Sequence, residues 1–154
     1  MTMGLERNLD KIINCITEEN IGEASLYALG KLIQYCGIVG NVHCHPDFGI
    51  KPMSDYEEDI ENIKTEIGIG IVHYLSSHMR KCNIKTEDIY SLDKTIYMMI
   101  ADKVLKNLEN MGIIEMREYH ITITESPTSI ALVFRLQYGA PSNYVYEIIK
   151  GELL

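Results

Sequence analysis

The stretch GIIEMREYHITITESPTSIALVFRLQY, Gly112 to Tyr138, decides the architecture, because β-branched and aromatic residues crowd both of its halves. Ile113 to Thr124 and Ile130 to Tyr138 read as two strands, with turn chemistry at Glu125-Ser126-Pro127-Thr128-Ser129 between them. The expectation is an antiparallel hairpin over about 113–138. Gly139, Pro141 and Ser142 then break the strand, and Tyr144, Val145, Ile148, Ile149 and Leu153 recur as the apolar face of a closing helix.

Working outward from the hairpin, the residues before it carry helical periodicity. Ile96, Met99, Ile100, Val104, Leu105, Leu108 and Met111 form one stripe, which Gly112 ends. Ile60, Ile63, Ile67, Ile71, Leu75 and Met79 form another, launched by a capping box of Ser54 with Glu57. Asn20 with Glu23 opens a helix that runs to Cys36 and stops at Gly37, and Leu5, Leu9, Ile12, Ile13 and Ile16 mark a helix over about 5–18. The fold expected is α+β: four N-terminal helices packed on a two-stranded or larger antiparallel sheet, closed by a C-terminal helix. Residues 1–154 are expected to form a single domain, a length that buries roughly 70% of the unfolded chain's surface.

Composition narrows the function classes. The chain carries 14 Lys and Arg against 22 Asp and Glu, a formal net charge of -8, which repels a phosphate backbone at long range and makes nucleic acid an unfavoured partner. Ile67 to Leu75, the longest near-apolar run, falls far short of the roughly 20 residues a membrane span needs. Met1 to Asp10 lacks a secretory pattern, and Cys15, Cys36, Cys44 and Cys82 form no CxxC pair, so a reducing, cytoplasmic setting is expected.

Two features exceed what a plain core requires. Gly37 to Pro52 is a long irregular segment holding His43, Cys44, His45 and Asp47, all residue types that ligate metals. An HxH pair on extended backbone points both imidazoles to one side, so these four residues are the candidate metal site, with zinc as first candidate and nickel or iron after it. Cys36, His73, His78 and Cys82 are the further ligands chemistry would allow. Against this stands a plainer reading, with the histidines in solvent and Cys44 packed inward. The same cluster could serve a cysteine enzyme, although neighbouring side chains on a strand point to opposite faces and make a poor nucleophile–base pair.

The second feature is the pair Gly68 and Gly70 inside a helical stripe, each costing roughly 1 kcal/mol relative to alanine. They permit close approach of another backbone or of a ligand. With Tyr74, and with Tyr144 of the last helix, they are the candidate ligand-binding wall, consistent with ten tyrosines in a chain lacking tryptophan.

Ala101 to Thr124, a helix running straight into a hairpin, resembles the recognition helix and wing of winged-helix DNA-binding domains over about a quarter of the chain. That resemblance implies exposed cations, and Lys94, Lys103, Lys106 and Arg117 are present, but Asp93, Asp102, Glu109, Glu115 and Glu118 interleave with them. The tail, a hairpin followed by Tyr138-Gly139-Ala140-Pro141 and a helix with Gly151, resembles the end of the ligand-binding fold shared by vinyl-reductase-like, haem nitric-oxide-binding and Golgi-tethering TRAPP proteins. It spans under a third of the chain and implies an enclosed apolar ligand or a docked partner. The chain lacks the cysteine-rich ending of the vinyl-reductase-like members and the tyrosine-serine-arginine signature of the haem binders, since the expected strand reads Phe134-Arg135-Leu136-Gln137-Tyr138.

The function expected is a non-catalytic, regulatory ligand-sensing or adaptor domain that takes an apolar small molecule, a metal or a protein partner. A metal-dependent or cysteine enzyme on the His43-Cys44-His45 loop is the alternative, and a winged-helix regulator the third reading. An uncovered apolar edge over Ile130 to Phe134 would support a homodimer.

Overall fold

A computed structural model describes residues 9–36, 42–44, 53–81, 83–90, 92–117, 120–125 and 127–139. The first helix, α1, is α-helical over 9–14 and finishes in a π turn, Cys15–Glu19. After it come α2 (Ile21–Cys36), β1 (Val42–Cys44), α3 (Met53–Tyr74), α4 (Ser76–Lys81), α5 (Thr86–Tyr90) and α6 (Lys94–Asn110). Strands β2 (Ile114–Arg117) and β3 (His120–Ile123) and helix α7 (Pro127–Tyr138) complete the described chain.

Helix α6 is the central element, packed against α3, α2 and the end of α1. Its buried stripe, Ile100, Ala101, Val104, Leu105 and Leu108, meets Ile67, Ile71 and Leu75 of the α3 side and Ala28, Leu29 and Leu32 of α2 in one apolar cluster. Asp93 caps its start, accepting from the Ile96 amide at 3.0 Å. Its end is set by Gly112, whose φ of 78° lets the Gly112 amide donate to Glu109 O and the Ile113 amide to Leu108 O, a paired closure that a Cβ would strain.

The boundary between α1 and α2 falls where the Asn20 signal places it, by a different contact. The Asn20 side-chain amide donates backward to Cys15 O at 2.7 Å, closing α1, while Glu23 faces His78 of α4 at 3.5 Å. The stripe expected to run from Ile60 to Met79 as one helix is cut at Leu75 into α3 and α4, beside a bond from Ser76 Oγ to His73 O at 2.9 Å.

The three strands form one small antiparallel sheet in the order β1-β3-β2, with Val42 opposite Ile123, Cys44 opposite Ile121, and Ile114 opposite Ile123 on the other side.

The α+β expectation is corrected: the described residues are predominantly helical, and the hairpin does not run over 113–138. It ends at Ile123, and the segment read as its second strand is α7. A strand would place Ile130, Leu132, Phe134 and Leu136 on one face. Instead Ile130 and Phe134 are buried, whereas Leu132 is 52% and Leu136 78% exposed, which is helical periodicity. Pro127 at the first helical position, and Ile130, Phe134 and Tyr138 four residues apart, favour the helix over the β-branched composition. Nor do the helices stand as a layer on a sheet, since they bury their stripes chiefly in one another. With α7 in place, Ile130 to Phe134 is no sheet edge, and the resemblances that leaned on a hairpin through Tyr138 lose that support. The closing helix expected after Gly139 lies outside the described residues.

Candidate functional site

Along the solvent side of α6 lies an open groove of about 590 Å³, inside the range of small-molecule sites. One wall is α6 itself, through Asp102, Lys103, Lys106, Asn107 and Asn110. Thr17, Glu18 and Ile21, from the junction of α1 with α2, form the opposite wall, and Met116 of β2 closes one end. The junction is held firmly, because the Thr17 hydroxyl donates to Ile13 O at 2.7 Å and Asn20 ties back to Cys15.

Asn107 joins the groove to the core. Its Nδ2 donates to Ser25 Oγ of α2 at 2.8 Å and to the Tyr138 hydroxyl of α7 at 2.9 Å. The Met111 sulfur, which only accepts, lies 3.5 Å from Nδ2 and 3.7 Å from the Tyr138 oxygen, fixing which end of the amide carries the hydrogens. Both N–H groups are thus used inside, and the amide oxygen accepts no bond among the described residues. Ser25 is fully buried, so the hub links three helices at a point where an unmade bond would be costly.

The charges on the groove divide into committed and uncommitted ones. Asp102 pairs with Lys64 of α3 at 2.8 Å, and Lys106 with Glu109 at 2.9 Å. Glu109 also accepts from the Met116 amide at 3.0 Å, and the bonds from Lys106 and Met116 hold its carboxyl below the usual carboxylate range. Lys103 and Glu18 enter no ion pair among the described residues.

The residues singled out from the sequence fall elsewhere. Gly68 sits where α3 crosses α6, and a Cβ there would lie 2.6 Å from the Tyr97 carbonyl carbon, so its close neighbour is backbone and not an opening. Gly70 makes room for the Tyr27 ring, which stacks on Tyr74 with centroids 5.1 Å apart and carries Lys31 over its face at 5.7 Å. Burial pushes the Tyr27 phenol above its ordinary range. Tyr144 lies outside the described residues. His43 and Cys44 occupy adjacent positions in β1, opposite Thr122 and Ile121, while His45 and Asp47 lie outside the described residues. Among the described residues no three His, Cys, Asp or Glu side chains gather as a metal site.

The helix-then-hairpin order of the winged-helix resemblance is present, as α6 followed by β2 and β3. Two of the four cations it implies are neutralised, since Lys94 pairs with Glu61 at 3.7 Å as Lys106 does with Glu109. Asn107, the residue that organises the groove, was missed in the sequence; its signal is an amide at a stripe position, three residues after Val104 and four before Met111. No helix among the described residues is long and apolar enough to cross a membrane. No known protein family, curated protein or solved structure matches the chain.

Proposed function

We propose that this chain is a non-catalytic ligand-sensing domain whose binding site is the groove between α6 and the α1–α2 junction. The observation that carries the reading is Asn107, a groove residue whose N–H groups are fixed by Ser25 and Tyr138 while its oxygen accepts no bond among the described residues. That arrangement offers one preset acceptor on rigid helices, the economy of a binding site. Asp102 and Lys106 are each already engaged in an ion pair, with Lys64 and Glu109, which leaves the other groups of the groove to meet a ligand. Seven of the nine residues lining the groove are polar or charged, with Ile21 and Met116 beside them, which supports a ligand carrying polar groups as well as apolar surface.

The test is a two-dimensional amide NMR titration of labelled protein with a library of small polar metabolites. Binding at this site moves the Asn107 and Asn110 side-chain signals and those of Thr17 and Glu18. A library that moves none of them removes the proposal.

A further inference from the structure

The uncommitted groups of the groove specify a ligand class, and this step rests on the binding reading above. The groove charges that enter no ion pair among the described residues are one of each sign on opposite walls: Lys103 on α6 and Glu18 at the end of α1. Lys103 and Asn107 are four residues apart, so the two residues share one strip of α6 about one helical turn apart. The Thr17 hydroxyl has its hydrogen on Ile13 O, which leaves it an acceptor toward the groove, on the same side as Glu18.

We infer that the groove takes a small zwitterion of dipeptide size with both ends free. Its carboxylate pairs with Lys103, its ammonium with Glu18 and Thr17, and its peptide N–H donates to the Asn107 oxygen. An anion alone would leave Glu18 opposing it, and a cation alone would face Lys103. Only a molecule carrying both charges meets both walls, and about 590 Å³ is ample for one.

The experiment titrates labelled protein with three probes: a pool of dipeptides with free ends, the same pool N-acetylated, and the same pool C-amidated. The free pool is expected to move the Asn107 side-chain signals, and blocking either end should weaken binding by about tenfold or more, the range of a charged hydrogen bond. Glu18→Gln and Lys103→Gln change exposed residues that make no ion pair among the described residues, so both should fold normally. E18Q should erase the difference between free and acetylated pools, and K103Q that between free and amidated pools. Equal binding of all three pools, or unchanged affinity in both variants, overturns the inference. A free pool that leaves the groove signals unmoved, while other polar metabolites shift them, overturns the ligand class and leaves the binding site standing; silence to every compound overturns both.

Discussion

Gly68 of α3 lies directly against the backbone of Tyr97 in α6, so that a Cβ at position 68 would stand 2.9 Å from the Tyr97 Cα. The obstruction is main chain, which cannot rotate away, and the two longest helices would have to separate to admit a methyl group. Gly68→Ala should therefore lower stability by about 1–3 kcal/mol despite the better helix propensity of alanine. Gly70→Ala meets the far end of the half-buried Tyr27 side chain, which can turn about its own torsions as a main chain cannot, and should cost distinctly less. Urea denaturation of both variants checks the order.

Asn107 and Ser25 should be energetically coupled. Removing the amide in Asn107→Ala leaves the buried Ser25 hydroxyl without its donor, a loss of about 1–3 kcal/mol. Ser25→Ala made in the N107A background should cost less than in the native chain, and a double-mutant cycle by denaturation measures the difference.

Glu109 predicts an acid-sensitive contribution. Folding lowers its pKa, so the folded chain favours the carboxylate; the gain is complete above the unfolded value of about 4.3 and is lost as pH falls through the lower folded value. Glu109→Gln keeps an acceptor for the Met116 amide but removes the charge that holds Lys106. The variant should be less stable than the native chain at neutral pH, and the two should converge in acid, as denaturation curves at successive pH values would show.

The periodicity of α7 is testable by two truncations. Phe134→Ala empties a buried site and should cost about 3–5 kcal/mol, whereas Leu136→Ala, on the solvent side, should fall within about 0.5 kcal/mol of the native chain. Comparable losses at both positions would restore the strand.

The sequence made the helical stripes legible because each repeats over several turns: Ile67, Ile71 and Leu75 are buried as their spacing requires, and Gly112 ends α6 as its lack of a Cβ allows. Ile130 to Tyr138 misled because Ile, Val, Phe and Tyr satisfy both periods, and the deciding residue, Pro127, counts equally as turn chemistry and as a helix start. Asn20 was legible as a boundary but not in its direction, since an amide can accept from the following helix or donate to the preceding one. The groove was opaque for a deeper reason: its residues come from α1, α2, α6 and β2, and Asn107 acquires its role only when Ser25 and Tyr138 are brought to it from 82 and 31 residues away.

The bond from Asn20 back to Cys15 welds α1 to α2 without a spacer, and α2 is anchored in the core by Leu29 and Leu32. The wall bearing Thr17 and Glu18 is thus tied to the interior, and the ligand proposed for the cleft would meet these side chains on helices formed with the core, their backbone ordering entropy spent when the chain folds.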